Sequence, residues 1–276
     1  MTTIAYLGPE HTNTHVAARK RFGPRATYVH APTVEDVFRL VEREDANYGV
    51  VPIENSLEGA VTHTLDRFID FKQSPIAIQG EIEQPIHHAL ILRRGSALSQ
   101  VRVVYSHPQA LAQCRRWLGH ILPHVTRRET DSTADAVSYV LRDKPDEGRA
   151  AIGRIELAEA HAALKAISIP EQRENKTRFL ILGLGSSRRG RQNKTSVLFS
   201  LKDRPGALHD ALVPFKRNRI NLTKIESRPS KRQAWEYLFF IDLEGHVEEP
   251  RVKRALKGLE TSTTLFKVLG SYPIGR

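Results

Sequence analysis

Asn175-Lys176-Thr177-Arg178-Phe179-Leu180-Ile181-Leu182-Gly183-Leu184 is the stretch that decides the fold of this 276-residue chain. It passes from a polar run into an apolar run, which predicts a loop that enters a buried strand. A hydroxyl and a guanidinium, those of Thr177 and Arg178, therefore stand side by side at the start of the strand. A guanidinium binds a carboxylate through two parallel hydrogen bonds, and a hydroxyl donates a hydrogen bond or a proton. The pair predicts a site for a small anion.

The chain before this strand has an α/β pattern. Short apolar runs, which predict strands, alternate with amphipathic segments that begin with helix-capping residues. The predicted strands include residues 4–7, 48–53, 88–92, 101–105 and 150–153, and the predicted helices begin near Thr14, Thr33, Ser56, Ser106 and Ser132. We expect one α/β domain over residues 1–184, with a first lobe at about 1–77 and 168–184 and a second lobe at about 78–167.

The chain after this strand has a different pattern. Residues 185–194 contain Gly, Ser, Arg, Gln and Asn and almost no apolar side chain, which predicts a linker. Residues 195–272 then follow the order βαββαβ, which predicts a ferredoxin-like sandwich. One of its strands alternates strictly, with apolar side chains at Trp235, Tyr237, Phe239, Ile241 and Leu243.

Composition excludes several classes of protein. No apolar run approaches the roughly 20 residues that span a bilayer, and the first residues lack the pattern of a signal peptide. The single cysteine, Cys114, excludes an intramolecular disulfide and a cysteine-rich zinc site, and we expect it to be buried. We expect a cytoplasmic protein that is not bound to a membrane.

The net charge of +11 admits two interpretations. Nucleic-acid binding is one, but it typically needs clustered basic residues, whereas here they are spread along the chain. The densest cluster, at residues 188–194, lies in the predicted linker. Attraction of an anionic metabolite is the interpretation that we favour.

Hydroxyl residues follow several predicted strands and begin the next helix. Thr12, Ser56 and Ser106 stand in this position, and Ser132 and Thr133 begin another helix. Helix N-termini present free N–H groups, and ligands of open α/β sheets sit at the carboxyl ends of strands. Ordinary N-capping explains each hydroxyl taken alone. Together with Arg178, the set predicts a site for a small polyanion that needs neither metal nor cofactor.

Other candidate sites are weaker. His11 and His15 have the spacing of metal ligands on a helix, but no third ligand lies nearby in the sequence. The chain has no phosphate-binding glycine loop and no dinucleotide fingerprint. Glu54 and Glu58 are a possible acid–base pair, and capping or solvation explains them equally well.

Two segments of the C-terminal pattern suit a second ligand. Residues 203–209 form a glycine turn into a helix, where Gly206 permits a close approach of the backbone and the helix start suits a carboxylate. The segment 226–229 ends the next predicted strand. A turn and a strand end without any ligand are an equally good interpretation of these residues.

The motifs resemble those of the prephenate dehydratase family, with a C-terminal ACT regulatory domain, over nearly the full chain. They are Tyr6-Leu7-Gly8-Pro9-Glu10, residues 49–59 (GVVPIENSLEG), Ser106-His107-Pro108-Gln109-Ala110-Leu111, residues 131–136 (DSTADA), Asn175-Lys176-Thr177-Arg178-Phe179, Gly206-Ala207-Leu208-His209, Glu226-Ser227-Arg228-Pro229 and residues 269–273 (LGSYP). Their order is that of the family, which makes the resemblance specific.

The resemblance implies conversion of prephenate to phenylpyruvate, with a two-lobed catalytic domain like type II periplasmic binding proteins and an active site in the cleft. It also implies feedback inhibition by L-phenylalanine at ACT interfaces, and hence a homodimer or homotetramer. The implied catalytic residues are Thr177, Arg178, Ser56, Asn55 and Glu58, and the implied substrate-binding residues are Thr12, Gly59, Ser106, Ser132, Thr133 and Phe179. The implied phenylalanine-binding residues are Gly206, Ala207, Leu208, His209, Asn221, Leu222, Glu226, Ser227 and Arg228.

The chain departs from the family pattern in two loops. The family usually has Gly-Thr-Phe-Ser/Thr where this chain has His11-Thr12-Asn13-Thr14, and Ile-Gln-Asp where it has Ile169-Pro170-Glu171-Gln172. Neither departure removes a candidate catalytic group. Arogenate dehydratase and a non-catalytic amino-acid sensor on the same scaffold remain alternatives.

Overall fold

The computed structural model describes residues 1–70, 73–142, 147–170, 174–230 and 236–275. The strands are β1 Thr3–Leu7, β2 Thr27–Ala31, β3 Tyr48–Asn55, β4 Gly59–Ala60, β5 Ile76–Pro85, β6 Ala89–Arg93, β7 Val103–Ser106, β8 Thr126–Glu129, β9 Arg149–Gly153, β10 Leu164–Ser168, β11 Lys176–Leu184, β12 Asn193–Leu201, β13 Leu222–Pro229, β14 Tyr237–Glu244 and β15 Thr263–Pro273. The helices are α1 Asn13–Phe22, α2 Val34–Glu42, α3 Thr62–Asp70, α4 Pro108–Gln113, α5 Arg115–Ile121, α6 Thr133–Arg142, α7 Ile155–Glu159, α8 Ala207–Arg217 and α9 Pro250–Glu260. No helix in these described ranges is long and apolar enough to cross a membrane.

The helix boundaries follow from local sequence. At the start of α2, the Thr33 hydroxyl accepts a hydrogen bond from the Asp36 N–H, which is the capping that the sequence predicts. At the end of α1, Gly23 takes a positive φ of 74° and its N–H donates to the Arg19 carbonyl. The predicted start of α2 at Thr33 is confirmed.

The chain folds into two compact units. Unit 1 contains Met1–Leu7, Ala17–Glu83 and Arg178–Arg276, and unit 2 contains Gly8–Val16 and Gln84–Thr177. The chain therefore passes between the units after residues 7, 16, 83 and 177, whereas the sequence predicts passages at about 77 and 167 only. The passage after residue 83 lies later than predicted because β5 is one continuous strand from Ile76 that pairs in the sheet of unit 1.

The first sheet, in unit 1, places the strand of Thr177 and Arg178 near its centre. Its strand order is β2-β1-β3-β11-β5, and β4 pairs with β3. The strands β1, β2 and β3 are parallel, as expected for an α/β domain. The sheet therefore brings β3, β11 and β5 side by side, although they are far apart in sequence.

Unit 2 has a sheet of its own, with the order β10-β6-β9-β7-β8. The strands β7, β8 and β9 are parallel, and β6 is antiparallel to both β9 and β10. The helices α4, α5 and α6 bury Leu111, Leu118, Val137 and Val140. This arrangement places the carboxyl end of β7 at Ser106 and that of β9 at Gly153.

The C-terminal sandwich, residues 193–273, has the predicted βαββαβ order. Its sheet has the antiparallel strand order β13-β14-β12-β15, which is that of a ferredoxin-like fold. One predicted member of the alternating strand, Trp235, lies outside the described residues. Helices α8 and α9 pack on one face of the sheet, around Phe215, Leu256 and Leu259.

The other face of this sheet packs against the first sheet and α3 within unit 1. Leu198, Leu238, Phe240 and Leu269 share one buried cluster with Ile53, Leu65, Phe68 and Ile78. We call these eight residues the apolar junction. The linker, which the sequence predicts as a domain boundary, therefore joins two parts that share one hydrophobic core.

Candidate active site and regulatory site

The segment from Asn55 to Gly59 forms a tight turn. The Asn55 side-chain oxygen accepts hydrogen bonds from the N–H groups of Leu57 and Glu58, at 2.9 and 3.2 Å. Gly59 takes a positive φ of 86° and pairs back with Asn55 through β4. The prediction that Ser56 begins a helix is wrong, because the Asn55 side chain organises a turn here and α3 begins only at Thr62. The turn still holds Asn55, Ser56, Glu58 and Gly59 together at the end of β3.

Arg178 is buried among protein carboxylates. It is only 6% exposed, and its Nε donates to Glu54 at 3.0 Å. Its Nη1 donates to Glu81 at 2.9 Å and to Asp242 at 2.8 Å. Burial lowers the pKa of the guanidinium, but Asp242, Glu54 and other neighbours raise it more, so the net shift is upward.

These contacts give Arg178 a structural role beside the one that the sequence predicts. Its Nε and Nη1 donate to three carboxylates of the protein. Removal of a charge partner from a buried site is costly because it leaves an unpaired charge. Arg178 therefore fixes the start of β11 beside Thr177, and its binding of a substrate carboxylate stays a prediction.

The carboxylates around Arg178 are shared with two lysines. Lys194 donates to both oxygens of Glu81, at 2.9 and 3.0 Å, and Lys224 donates to Glu54. We call the six residues Glu54, Glu81, Arg178, Lys194, Lys224 and Asp242 the charged junction. The formal charges of these three cations and three carboxylates cancel, as buried charges require.

The charged junction joins the central strands of the first sheet to the C-terminal sandwich. Glu54, Glu81 and Arg178 lie on β3, β5 and β11, whereas Lys194, Lys224 and Asp242 lie on β12, β13 and β14. The fourth sandwich strand, β15, joins through Tyr272, whose hydroxyl lies 2.7 Å from that of Ser196, and Ser196 donates to Asp242 at 2.6 Å. Burial, and then Asp242 and Glu81, raise the pKa of Tyr272, so its phenol stays neutral.

Sequence reasoning missed most of the charged junction. The sequence indicates Glu54 either as an acid–base partner of Glu58 or as a capping or solvated residue, and neither interpretation gives the cause of its pKa. Burial raises it, but Arg178 and Lys224 lower it more, so that the net pKa lies below the ordinary value. The sequence has no local signal for Glu81, because in the alternating segment 76–82 of β5 it lies on the same face as Gln79 and is typical of a solvated residue. Its side chain is 0% exposed.

Thr177 and Phe179 flank Arg178 on β11 with different surroundings. Thr177 is half-buried and is the last residue of unit 2, so the boundary between the units falls at the bond to Arg178. Phe179 is buried in a core cluster with Ile4, Tyr6 and Ile181. The ring packs in the core and so anchors the strand, and its contact with substrate stays a prediction.

In unit 2, the predicted hydroxyl residues serve the backbone. The Ser106 hydroxyl is fully buried and donates to the Ile152 carbonyl of β9 at 2.7 Å. Ser106 ends β7, and His107 caps α4 in its place. Ser132 accepts from the Asp135 N–H at 3.0 Å and so caps α6, which begins at Thr133. The capping interpretation accounts for these contacts of Ser132, whereas substrate binding by Ser106, Ser132 and Thr133 stays a prediction.

The first loop shows how the chain accommodates its departure from the family pattern. His11 takes a positive φ of 65°, a conformation that glycine adopts easily. Its N–H donates to the His15 ring at 2.9 Å, which occupies one nitrogen of the suggested metal pair. The Thr12 hydroxyl accepts from the His15 N–H at 3.3 Å, as a helix cap does. Asn13 accepts from Arg154 at 3.0 Å, a buried arginine that the sequence analysis did not single out.

The predicted phenylalanine site lies on the C-terminal sandwich. Gly206 has a φ of 79° and precedes α8, and its carbonyl accepts from the Asp210 N–H at 2.9 Å. Leu208 and His209 are exposed on the first turn of this helix. Asn221 donates to Glu244 at 3.2 Å just before Leu222 begins β13. These residues stay predictions for effector binding.

The segment Glu226-Ser227-Arg228 alternates between the two faces of β13. Ser227 is exposed, whereas Glu226 and Arg228 are half-buried. Arg228 donates to both oxygens of Asp66 on α3, at 3.0 to 3.2 Å. The Arg228 side chain therefore contacts the α/β part of unit 1, and its role in binding phenylalanine stays a prediction.

Comparison with known proteins identifies the family. Residues 4–187 match the family model for prephenate dehydratase, and residues 195–261 match that of the ACT domain. The chain is 47% identical over 270 residues to a bifunctional chorismate mutase/prephenate dehydratase of Aquifex aeolicus, which covers 98% of this chain and 73% of the relative. It is 44% identical over 244 residues, 86% of each chain, to a prephenate dehydratase of Methanocaldococcus jannaschii.

Two solved structures superpose on this chain over nearly its whole length. The prephenate dehydratase of Arthrobacter aurescens in complex with L-Phe superposes with a TM-score of 0.89 at 32% identity and covers 99% of this chain and 90% of that one. A protein described as GqqA, a novel type of quorum-quenching acylase, has a TM-score of 0.84 at 28% identity, with 99% and 98% coverage.

These likenesses confirm the predicted class, an α/β catalytic domain with a periplasmic-binding-protein-like fold followed by an ACT domain. The chain belongs to the prephenate dehydratase family.

Proposed function

We propose that this chain is a hydro-lyase that converts prephenate to phenylpyruvate in L-phenylalanine biosynthesis. The observation that carries the proposal is the family match over residues 4–187, within which the segment from Asn175 to Phe179 is intact. The likeness to a prephenate dehydratase of similar length, over 86% of both chains, supports it.

The reaction needs no cofactor because aromatisation drives it. The bond between the ring and its carboxylate breaks, carbon dioxide leaves, and the electron pair enters the ring. The bond from C4 to its hydroxyl breaks at the opposite carbon, and the departing oxygen takes a proton to become water. An enzyme for this reaction has to hold a dianion and assist departure of the hydroxide.

Thr177 is the residue that we assign to the leaving hydroxyl. An ordinary Thr hydroxyl is a poor acid, so its contribution is a positioned hydrogen bond that strengthens as negative charge develops on the oxygen. Arg178, which is fixed by Glu54, Glu81 and Asp242, holds the strand on which Thr177 lies. Asn55, Ser56, Glu58 and Gly59 form the turn that we assign to the substrate.

Turnover of prephenate by the purified chain tests the activity. Phenylpyruvate is measured by its absorbance in alkali. We expect Thr177→Ala to lower kcat about 100-fold or more, as loss of a transition-state contact does, and Thr177→Ser to retain most of it because the hydroxyl remains. Wild-type turnover in Thr177→Ala would refute the role of Thr177, and an inactive wild-type protein would refute the activity.

The substrate is tested by direct competition. Arogenate differs from prephenate by an amine in place of the side-chain keto group, and kcat/KM for the two compounds decides between the two dehydratases. The likeness to a quorum-quenching acylase calls for one further assay, hydrolysis of an N-acyl amide. We expect prephenate to give the highest kcat/KM of the three.

We also propose that L-phenylalanine inhibits the enzyme through the C-terminal sandwich. The ACT match and the L-Phe complex of the Arthrobacter relative support this regulation. Gly206→Val places a β-branched residue at a φ of 79°, which strains the turn before α8. We expect the variant to lose inhibition while it keeps turnover without phenylalanine. Inhibition that persists at wild-type strength would show that the effector does not bind at this turn.

We also propose that the chain forms a homodimer or a homotetramer and is located in the cytoplasm. The strand β13 is an edge strand of its sheet, and its Ile225 side chain is 48% exposed. Edge strands of this kind pair readily with a second copy. Light scattering of the purified chain gives the number of subunits, and Ile225→Lys should lower it if β13 lies in the interface.

A further inference from the structure

One carboxylate joins the C-terminal sandwich to the strand that carries Thr177. One oxygen of Glu54 accepts from Lys224 on β13, and the other accepts from Arg178 on β11 at 3.0 Å. The side chains of Lys224 and Arg178 are 11% and 7% exposed, whereas that of Glu54, which accepts both bonds, is 33% exposed. Lys224 is therefore connected to Arg178 by two charge-assisted hydrogen bonds.

Both ends of this connection are next to segments that we assign to substrate. Glu54 precedes Asn55, whose side chain holds the turn of residues 55–58. Arg178 follows Thr177. Rates of positioned reactions are sensitive to displacements of about 1 Å, which cost on the order of 100-fold. A shift of Lys224 relative to β3 would act on both segments together.

The strand β13 has two faces with different neighbours. Lys224 and Arg228 contact Glu54 and Asp66 of the α/β part. The alternating residues Ile225 and Ser227 are exposed on the opposite side, and Ser227 belongs to the predicted effector segment. A ligand or a partner strand on the exposed face therefore acts on the same backbone that carries Lys224.

We infer that Lys224 is a positioning residue for the dehydration step, through which the C-terminal sandwich sets the geometry of the turn after Glu54 and of the start of β11. The inference rests on the proposed dehydratase activity. It gives the sandwich a part in catalysis even when no effector is bound, and it gives β13 the role of transmitting the effector's influence.

Lys224→Met tests the inference, because Met keeps the length of the side chain and removes the donor. We expect kcat to fall about 10-fold to 100-fold with KM within about threefold of the wild-type value. We also expect phenylalanine to inhibit the variant less, although calorimetry still shows phenylalanine bound. Lys224→Arg keeps a cation within reach of Glu54 and should restore most of the lost kcat.

Lys267→Met is the matched control. Lys267 is also a half-buried lysine of the sandwich, on β15, and it donates to the Ser74 carbonyl of the α/β part at 3.0 Å. This contact is not attached to either substrate segment. We expect the kcat of Lys267→Met and its inhibition by phenylalanine to equal those of the wild-type protein. Comparison with Lys224→Met then distinguishes the loss of any contact between the two parts from the loss of the contact that positions the substrate segments.

The outcomes are distinct. If the wild-type protein makes no phenylpyruvate, the proposed function fails. If it does, the inference is overturned when Lys224→Met keeps wild-type kcat and inhibition, or when Lys267→Met impairs them equally. A fall in kcat that follows only the unfolded fraction, measured by circular dichroism, also overturns it. If Lys224→Met is insoluble, Glu54→Gln tests the same link: a fall in kcat at unchanged KM supports the inference, and wild-type kcat overturns it.

Discussion

The apolar junction and the charged junction join the same two parts of unit 1 by different physical means. The apolar junction packs side chains such as Leu198 and Phe240 against Ile53 and Phe68, and its contribution grows with the area removed from water. The charged junction fixes Arg178 through directional bonds of 2.8 to 3.0 Å to three carboxylates. The first contact supplies stability and tolerates small displacements, whereas the second defines position.

The difference explains why the substrate segments are attached to the charged junction. Replacement of buried ion pairs by apolar side chains is often neutral or stabilising, so stability alone does not favour charges here. Directional bonds on Glu54 and Arg178, the neighbours of Asn55 and Thr177, fix the places where geometry matters for the reaction. We therefore expect substitutions in the apolar junction to lower stability more than turnover per folded molecule. Substitutions in the charged junction should lower turnover by more than the loss of stability explains.

The largest expected effect is that of Arg178→Met. The change leaves Glu81 and Asp242 without the guanidinium that joins them, and a broken buried pair costs about 3 to 5 kcal/mol. Turnover should fall by more than the unfolded fraction explains, because β11 loses its register beside Thr177. Urea unfolding and kcat measured on one preparation check both. A stability loss below about 1 kcal/mol would show that the carboxylates do not depend on Arg178.

Leu198→Ala is the corresponding change in the apolar junction. Leu198 is fully buried on β12, and truncation of such a leucine costs about 3 kcal/mol through lost burial and the cavity left behind. We expect kcat per folded molecule to stay within about twofold of the wild-type value, and inhibition by phenylalanine to persist. A fall in kcat as large as that of Arg178→Met would remove the distinction between the junctions.

Gly270→Ala tests a close approach between the backbones of the two parts. A Cβ at this position of β15 would lie 2.3 Å from the Ile78 carbonyl oxygen and 2.8 Å from its amide nitrogen. The backbones have to separate, which costs about 1 to 3 kcal/mol as overpacking does. Gly119→Ala on α5 is the control, since a Cβ there meets no atom within 4 Å. Equal unfolding free energies for the two variants would contradict the close approach.

Much of the fold follows from the sequence because its signals are local. Thr33 and Gly23 mark helix ends through their own backbone contacts, and the alternation in β14 predicts a strand, although both faces of that strand are buried. The helix expected at Ser56 is the instructive error. Asn55 precedes it and captures two N–H groups within three residues, so the local signal was present but assigned to the wrong structure.

The site was less predictable because its contacts are distant in sequence. Arg178 meets Glu54, Glu81 and Asp242 across 124, 97 and 64 residues, and no spacing rule connects such pairs. The motif located Thr177 and Arg178 correctly on a strand. The sequence did not reveal that Arg178 binds the protein's own carboxylates, because that depends on how the C-terminal sandwich packs.

The smallest expected effect, that of Glu54→Gln, distinguishes the junctions by pH. The pKa of Glu54 lies below its ordinary value of 4.5, because Arg178 and Lys224 outweigh the effect of burial. A carboxylate with a lowered pKa in the folded state stabilises it above the ordinary pKa, and this contribution is lost as the pH falls through the lowered value. Glu54 is one-third exposed, so screening leaves a contribution of only about 1 kcal/mol.

Gln cannot ionise, so the difference in unfolding free energy between wild type and Glu54→Gln should be constant from about pH 6 to 8 and shrink below about pH 4.5. Leu198→Ala should show no such trend, because its cost is one of packing and carries no proton linkage. Urea titrations of the three proteins at a series of pH values check this. A pH-independent difference for Glu54→Gln would mean that the cations do not stabilise the carboxylate. Glu54 would then contribute to the unfolding free energy through packing and neutral hydrogen bonds only.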